Sequence, residues 1–467
     1  MIFVGICFLD YLKEVYMDRI QDLRKKKDAL KKASGSVRKE IESLVDAGSF
    51  VELSALSFSK SAFYDDDAHG EGVVTGFATI SGHPFYLVAQ NFDVVSGGLT
   101  KANCEKVAKT LNAAEKNNTP VVYLLHSQGV SVGEGVNVLE GISELLLKAT
   151  QLKGTVMQYA YLSGGVYGSA AALASVCDVV FFEDKSVLSV NSPLVLSAKE
   201  NRNLKAEEVG GYSALNKSGL PAIKVKNLKE AGVKIQAITE LLALPVVDAE
   251  LNKPVPALNK SADAKAIAAL LESGIELGAN SVPEIKAVLG RIGGIAVAAI
   301  VFDQVKLTVE SVRKIKNFAE FACCYTLPLV LFVDCLGVEA TMQTNNSGVL
   351  KEIAEYLSIL DAIDTAKIAV VTGKAVGLGY SLFAAKSIGF DYTFALATAE
   401  VSLFESALGA EIEYSTEKGV DKKKLAKLYA EENADPVNAA KNGYLDDVIE
   451  PQFLKQYLTA ALQTLVG

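Results

Sequence analysis

The sequence has few of the residues that usually bind metals and no excess of positive charge. Its three histidines and six cysteines form no HExxH or CxxC spacing, so the common zinc motifs are excluded and no bound metal is predicted. The cysteines stand in apolar or helical contexts, as expected of buried thiols in a reducing compartment. The formal net charge of −9 argues against a nucleic-acid partner, which normally requires a basic surface.

Long apolar runs are also absent. Residues 1–16 are apolar, but Asp10 interrupts them, and they are too short to span a membrane. They also lack the basic start and the cleavage site of a signal peptide. Met17 precedes a charged helical pattern and is a candidate for the natural start, so residues 1–16 are interpreted as an N-terminal extension. With no other candidate membrane segment, the sequence predicts a soluble, cytoplasmic protein.

Half of the 467 residues are hydrophobic and 22% are charged, which is typical of a globular protein. A chain of this length is too long for one compact core, so two or more domains are expected.

The order of predicted elements repeats along the chain. Residues 72–182 read as a strand pair, a helix, a strand opened by a proline, a second helix, and then strand, helix and strand. The same order returns over residues 290–406. Matching positions keep similar separations: Pro120 and Pro328 are 208 apart, and Gly164 and Gly377, like Asp178 and Asp391, are 213 apart. The sequence therefore predicts an α/β fold made by tandem duplication, with halves at 17–250 and 251–467.

Each half contains glycines where a strand is predicted to pass into a helix, at 163–166 and at 376–379. The first amides of a helix have no intrahelical partner, and the helix dipole favours negative charge there. Glycine also lets a ligand approach the backbone closely. Such a turn could hold an oxyanion. Tight packing of strand against helix would explain the same glycines, and the local sequence leaves both interpretations open.

Several longer motifs follow one another in a characteristic order. In the first half they are AQNFDVVSGG (89–98), SQGVSVGEGV (127–136), SGGVYGSAA (163–171) and AEEVGGYSALNKSG (206–219). In the second half they are LGRIGGIAVAAIVFD (289–303), LPLVLFVDCLG (327–337), GKAVGLGY (373–380) and TAEVSLFES (398–406). From about residue 20 to the end, the chain resembles the carboxyltransferase subunit of biotin-dependent acyl-CoA carboxylases and the related decarboxylases.

The resemblance implies two crotonase-like (ClpP/crotonase) domains, the first facing an acyl-CoA thioester and the second facing biotin. It implies catalytic backbone groups for the thioester oxygen at Gly164, Gly165 and Val166, and for the biotin ureido oxygen at Leu378 and Gly379. It implies substrate binding by Gly97, Gly98, Ser127, Gly129, Glu134, Gly135 and Lys217. It implies cofactor binding by Gly337, Val338 and Gly377.

The implied reaction moves a carboxyl group between biotin and a short-chain acyl-CoA such as propionyl-, methylmalonyl-, malonyl- or glutaconyl-CoA. Biotin itself then takes the α-proton, which suits a sequence without an evident side-chain acid–base constellation. The chain has no Met-Lys-Met motif, so biotin would be carried on a separate subunit, the biotin carrier protein. A biotin carboxylase or a membrane sodium-pump decarboxylase subunit would be a further partner. The family forms hexamers whose active sites lie between subunits.

Some positions depart from the family pattern. The family has Asp-Ser-Gly-Gly-Ala-Arg where this chain has His-Ser-Gln-Gly-Val-Ser at 126–131, and Gly-Gly-Ala where it has Gly-Leu-Gly at 377–379. These changes motivate an alternative, a non-catalytic paralogue that scaffolds or regulates a carboxyltransferase complex. A single-unit hydratase or isomerase is disfavoured by the duplication.

Three side chains keep two interpretations each. His126 is either a polar residue at a strand end or a contact for a substrate carboxylate. Glu134 either shapes the acyl pocket or stabilises a helix start. Lys217 is either solvated or close to CoA.

Overall fold

The computed structural model of the chain describes residues 2–57, 69–242, 253–415 and 421–466. The chain divides into two units, the first comprising Met1–Ala214 and Lys224–Gln236, and the second Leu215–Ile223 and Ala237–Gly467. The predicted boundary between residues 250 and 251 lies outside the described residues, so the division at that point stays a prediction.

The first sheet has the strand order β1-β2-β3-β4-β5-β6-β8, to which β7 adds by pairing with β5, and its strands β1 to β7 lie in the first unit. β2 and β3 form an antiparallel hairpin, and β3, β4, β5 and β6 pair in parallel. The central strands are buried on both faces, which explains their near-continuous apolar sequence. The strands are β1 (Val51–Leu53), β2 (Val73–Ile80), β3 (His83–Gln90), β4 (Val121–Ser127), β5 (Gln158–Tyr167), β6 (Val179–Phe182), β7 (Val187–Ser189) and β8 (Ala222–Lys224).

Helices connect these strands, as parallel pairing requires. Helix α1 is continuous across the predicted extension and the charged segment that follows it. The helices are α1 (Ile2–Ala33), α2 (Gly35–Leu44), α3 (Lys101–Asn117), α4 (Val136–Gln151), α5 (Ser169–Val176), α6 (Pro193–Glu200), α7 (Ala206–Gly210) and α8 (Leu228–Leu242). In the described part of the chain, no helix combines the length and the apolar character needed to cross a bilayer.

The second unit has a sheet with strand order β17-β15-β14-β13-β11-β10-β9, with β12 paired to β13 and β16 to β14. Its strands are β9 (Glu272–Leu277), β10 (Ile285–Ile292), β11 (Ile295–Phe302), β12 (Val305–Leu307), β13 (Leu329–Val338), β14 (Lys367–Val376), β15 (Tyr392–Leu396), β16 (Glu400–Ser402) and β17 (Asp447–Ile449). Its helices are α9 (Ala264–Ala268), α10 (Val309–Cys324), α11 (Met342–Asn346), α12 (Val349–Ala362), α13 (Leu378–Phe383), α14 (Ser406–Glu413), α15 (Lys422–Asn433), α16 (Pro436–Lys441) and α17 (Leu454–Val466).

Strand register confirms the predicted duplication. The carbonyl of Pro120 accepts the amide of Tyr86, and the carbonyl of Pro328 accepts the amide of Ala298, both at 2.9 Å. Asp178 and Asp391 are likewise equivalent, because each carboxylate accepts the amide of the first residue of the neighbouring strand at 2.8 Å. The proline and aspartate pairs chosen from the sequence are therefore true structural equivalents.

The glycine pair chosen from the sequence is wrong in register. Ser127 pairs with Val166 and Cys335 with Ala375, so β5 and β14 match at a separation of 209 rather than 213. Gly377 therefore corresponds to Gly168, and Gly164 to Gly373. The separation becomes 213 only at β6 and β15, where Val179 corresponds to Tyr392. The second half therefore has four additional residues between β14 and β15, compared with the segment between β5 and β6. Because of them, Gly164 and Gly377 have the same separation as the two aspartates without being equivalent.

Candidate active site

The carboxyl end of β4 gathers residues predicted to bind substrate. The loop that follows β3 lies beside the loop that follows β4, and the amide of Leu99 in the first loop donates to the carbonyl of Gly129 in the second at 2.8 Å. Gly97 has a φ of +64°, and a Cβ placed on it would fall 2.0 Å from the His126 carbonyl oxygen. Only glycine permits this approach. The structure thus brings together four of the predicted positions, Gly97, Gly98, Ser127 and Gly129.

Ser127 and Gly129 form the turn that leaves β4. Ser127 is fully buried, and its Oγ accepts the amide of Gly129 at 3.1 Å. Gly129 adopts a φ of +110°, a conformation that side chains rarely take. Having no exposed surface, Ser127 acts through the shape of this turn, and a direct contact of its side chain with substrate is not supported.

The predicted turn at Gly164 and Gly165 is not a helix start. Both residues and Val166 lie inside β5, where Gly165 pairs with Val187 of β7. Helix α5 begins only at Ser169, and the turn into it is made by Gly168 at a φ of +60°. The strand continues past the glycines because β7 supplies it with a further partner. The role of Gly164, Gly165 and Val166 as amide donors to a thioester stays a prediction, now placed on a strand end.

Two aromatic side chains cover these glycines. A Cβ on Gly164 would fall 2.5 Å from Nε2 of His126, and one on Gly165 would fall 2.4 Å from the Tyr167 hydroxyl. The His126 ring is also stacked on Phe92, with 3.8 Å between centroids. Sequence reasoning missed Phe92 because its contact with His126 joins the loop after β3 to the end of β4. It also missed Tyr167, although this residue follows Gly165 by two positions on β5 and the period of a strand places both on one face.

Burial sets the protonation of this aromatic group. It lowers the pKa of His126, an effect opposed by the nearby carboxylate of Asp93. It also raises the pKa of Tyr167. Both side chains are therefore uncharged near neutral pH, with hydrogen-bonding atoms beside Gly164 and Gly165.

Glu134 and Gly135 shape the neighbouring loop. Oε2 of Glu134 accepts the amide of Lys101 at 2.7 Å, and Lys101 is the first residue of α3. Gly135 has a φ of +58° and precedes α4. The carboxylate thus lies at the start of α3, where the helix dipole favours negative charge, and not at the start of the helix that follows Glu134 in sequence.

Lys217 is not part of this group of residues. It belongs to the second unit, where its exposed ammonium lies 3.8 Å from Oε1 of Glu310 and its carbonyl accepts from Arg313. A contact of Lys217 with CoA stays a prediction.

The second half has the strand–turn–helix geometry that the sequence predicted. Gly377 follows β14 with a φ of +53°, and its amide donates to the carbonyl of Ser402 at 2.9 Å. Leu378 and Gly379 are the first two residues of α13, where an α-helix offers no intrahelical acceptor for their amides. A Cβ on Gly379 would fall 2.8 Å from Sγ of Cys335, so this glycine also lets the helix pack against β13.

Gly337 and Val338 lie beside this turn. Gly337 has a φ of +85°, and a Cβ on it would fall 3.2 Å from the carbonyl oxygen of Val376. Val338 is 38% exposed at the end of β13. The predicted cofactor-binding positions Gly337, Val338 and Gly377 are therefore adjacent in the structure.

A cavity of about 510 Å³ opens on the Gly377–Leu378 turn. Its lining combines apolar side chains with hydroxyl and carboxamide groups and one carboxylate, that of Asp435. The lining consists of Gly377, Leu378, Tyr380, Ser381, Val401, Ser402, Leu403, Asn433, Asp435, Asn438, Ala439, Asn442 and Tyr444. Of these, the residues from 433 onward come from a charged tail that the sequence motifs did not single out.

A network of charges supports the same turn. Oδ1 of Asp334 accepts the amide of Lys374 at 2.8 Å, and burial raises the pKa of this carboxyl. Nζ of Lys374 lies 3.1 Å from Oε2 of Glu400 on the paired strand β16. Burial also raises the pKa of Cys335 to about 12, so its thiol stays protonated. Among the described residues, no group of His, Cys, Asp and Glu side chains could hold a metal ion.

These features define a class of protein: a tandem α/β chain in which each half carries a glycine-bounded turn beside a strand end. The solved structure of transcarboxylase 12S has this architecture. The two share 23% identity and a TM-score of 0.86 over 96% of each chain, and that structure was determined as a hexamer with methylmalonyl-coenzyme A and methylmalonic acid bound. The fold is the duplicated crotonase-like fold that the sequence predicted.

The carboxyl transferase domain matches residues 29–466, and the chain belongs to this family. It is 28% identical to the propionyl-CoA carboxylase beta chain of Cereibacter sphaeroides, covering 93% of this chain and 91% of that protein. It is also 28% identical to the alpha subunit of methylmalonyl-CoA decarboxylase of Veillonella parvula, covering 92% of this chain and 90% of that protein. The expectation of a carboxyltransferase is confirmed.

Proposed function

We propose that this chain transfers a carboxyl group between biotin and a short-chain acyl-CoA, with propionyl-CoA and methylmalonyl-CoA as the exchanging pair. The observation that carries the proposal is the family match over residues 29–466. The substrate pair is supported by relatives of both kinds, a propionyl-CoA carboxylase chain and a methylmalonyl-CoA decarboxylase subunit, at equal identity. Carboxylation and decarboxylation are opposite directions of this one transfer.

The two halves take different partners in this proposal. Residues 17–250 bind the acyl-CoA, with the thioester beside Gly164 and Gly165. Residues 251–467 receive biotin, whose ureido oxygen accepts the amides of Leu378 and Gly379. Backbone donors fixed before the reaction stabilise developing negative charge without reorganisation, which is often the largest catalytic effect.

The lining of the second-half cavity fits the biotin ring system. A cyclic urea is uncharged and needs both hydrogen-bond donors and acceptors, and the carboxamides of Asn438 and Asn442 offer both. When bound, biotin supplies the carried carboxyl group and the base for the α-proton. This chain contributes the amides at the turn and the apolar wall that includes Val401 and Leu403. The biotin carrier is a separate subunit.

Exposed apolar side chains support assembly with other copies. In the first unit Val190 and Leu194 are 77% and 80% exposed, and in the second Leu403 and Leu408 are 69% and 50% exposed. Each pair follows the short strand that flanks its half's turn, β7 or β16. We propose that these faces are covered in a homo-oligomer, as expected of a relative of a hexameric transcarboxylase. A biotin carrier protein, with a biotin carboxylase or a membrane sodium pump, completes the cytoplasmic enzyme.

The non-catalytic alternative predicts a degraded site. Against it, Leu378 replaces a glycine without disturbing the turn, because Gly377 still carries the positive φ and Leu378 is 44% exposed. A backbone donor is insensitive to the side chain it carries. The catalytic interpretation is therefore favoured.

The direct test uses the purified full chain, free biotin, and malonyl-, methylmalonyl- and glutaconyl-CoA, with the acyl-CoA products followed by mass spectrometry. We expect biotin-dependent conversion of methylmalonyl-CoA to propionyl-CoA, and no conversion in the control without biotin. Absence of turnover with every thioester, together with absence of thioester binding by calorimetry, would contradict the proposal. Binding without turnover, even with an added biotin carrier, would favour the non-catalytic paralogue.

A further inference from the structure

His126 lies at the carboxyl end of β4 and is held there by its backbone. Its amide donates to Oε1 of Gln90 at 3.2 Å, and its carbonyl lies against Gly97. Its imidazole is clamped between two surfaces, the ring of Phe92 at 3.8 Å and an interplanar angle of 14°, and the bare Cα of Gly164. The orientation of the imidazole is therefore fixed before any ligand binds.

The two ring nitrogens are not used by the protein. No hydrogen bond from either nitrogen reaches another residue in the described part of the chain, and the side chain is only half-buried. A structural histidine within a core would normally have satisfied nitrogens. Here the imidazole offers one donor and one acceptor towards the space beside Gly164.

The position equivalent to His126 in the second half holds a side chain whose polar atoms are already bonded. Asp334 occupies it, and the bare Cα of Gly373 faces Asp334 as Gly164 faces His126. The Asp334 carboxylate is already engaged, because Oδ1 accepts the amide of Lys374. Only the first half leaves an unengaged polar group at this point of the fold.

We propose that His126 is a specificity-determining residue whose imidazole binds the free carboxylate of a carboxylated acyl group, such as that of methylmalonyl-CoA. The inference rests on the proposed function, which places the thioester beside Gly164. A neutral imidazole donates one N–H to the carboxylate, and it gains a proton more easily once that negative charge is present. Exposed Asp93, the charged group that acts on this ring, also favours the protonated form. The ring of Phe92, stacked on the other side of the imidazole, offers the carboxylate no competing polar contact.

The test compares two ligands that differ only in this carboxylate. Dissociation constants of methylmalonyl-CoA and propionyl-CoA are measured by calorimetry for the wild type and for His126→Phe, which keeps a ring to stack on Phe92. We expect methylmalonyl-CoA to bind about 10- to 100-fold more weakly to the variant, the range for losing a hydrogen bond to a charged group. We expect propionyl-CoA to change less than about threefold, because its contacts are retained.

A second variant guards against a packing effect. His126→Gln retains a hydrogen-bond donor and should recover part of the affinity for methylmalonyl-CoA. Equal weakening of both thioesters, or no weakening of either, would overturn the assignment of His126 and leave the proposed function intact if the wild type turns over. A wild type that neither binds nor converts any thioester would overturn both.

Discussion

The two halves of the chain share their supporting contacts and differ in the side chains beside their turns. Thr100 and Thr308 begin α3 and α10 with the same reciprocal hydrogen bonds, to Asn103 and Ser311. Five residues into each helix, Lys106 and Lys314 are buried and donate to the carbonyl of the first residue of the hairpin, Val73 in β2 and Ile285 in β10. In both halves these contacts join the first part of a helix to the start of a strand.

The differences lie at the strand ends. At equivalent positions of the two halves, His126 corresponds to Asp334, Ser127 to Cys335, and Gly165 to Lys374. The first half thus presents uncharged aromatic groups beside its turn, and the second presents an ionic network and a wide cavity. Both copies therefore kept the backbone geometry while the side chains beside the turns changed, as expected if each half receives a different ligand.

The largest effect on kcat is expected from removing one backbone N–H at the Gly377–Leu378 turn. Leu378→Pro deletes the N–H at the first helical position, where proline is well tolerated. We expect kcat to fall by about 10²- to 10³-fold, the range for losing one oxyanion donor. Leu378→Ala keeps the amide and is the matched control.

The corresponding substitution in the first half should have little effect on kcat. Ser169→Pro removes the first amide of α5, but the predicted thioester donors lie on β5. We expect kcat to stay within about threefold of the wild type. If Ser169→Pro is as damaging as Leu378→Pro in steady-state assays, both halves use their helix starts, and the strand assignment of Gly164 and Gly165 is wrong.

The two turn glycines should differ in their tolerance of alanine. Gly168 and Gly377 both have a positive φ, so alanine at either position is expected to cost about 1–3 kcal/mol. A Cβ on Gly377 would also fall 3.2 Å from the Leu403 carbonyl oxygen, whereas the nearest atom to one on Gly168 is 3.9 Å away. Urea denaturation should therefore show Gly377→Ala as the less stable variant, and the reverse order would contradict this account.

The buried lysines predict a dependence of stability on pH. Burial lowers the pKa of Lys314, like that of Lys106, to about 8. Between that value and the ordinary pKa, the unfolded chain holds a proton that the folded chain has lost, so stability rises with pH. We expect the free energy of unfolding of the wild type, minus that of Lys314→Met, to increase by about 1–2 kcal/mol from pH 8 to pH 10.

Lys106→Met is the matched variant in the first half and should show a change of the same sign. Denaturant titrations at the two pH values measure both. A difference that stays constant with pH would mean that the ammonium remains protonated in its carbonyl environment.

The smallest effect on stability is expected at Cys335, which occupies the position that Ser127 has in the first half. The backbone amide of Gly337 lowers the pKa of the Cys335 thiol against the effect of burial, at the position where the hydroxyl of Ser127 accepts the amide of Gly129. Cys335→Ser keeps an acceptor and should change stability by less than about 1 kcal/mol, whereas Cys335→Ala should lose about 1 kcal/mol. Thermal unfolding of the two variants distinguishes these outcomes, and equal losses would mean that the acceptor contributes nothing.

Much of the fold could be predicted because its signals are local. The prolines that open β4 and β13, the apolar runs of the parallel strands and the glycine at Gly377 each act within a few residues. The site was harder to predict. The sequence predicts a turn before a helix at Gly164 and Gly165, whereas both lie on β5. Their contact with His126 depends on the pairing of β4 with β5, and Tyr167 follows them on their own strand.

By itself the sequence determined that the chain is a duplication, in what order its elements come and to which family it belongs, because periodicity and motif order survive without coordinates. Only the tertiary structure decided which glycines are equivalent, because the additional residues after α13 shift the register between strands. It also decided which side chains face the two turns. Those contacts depend on parallel pairing between distant segments, and pairing is a property of the folded sheet rather than of any one stretch of chain.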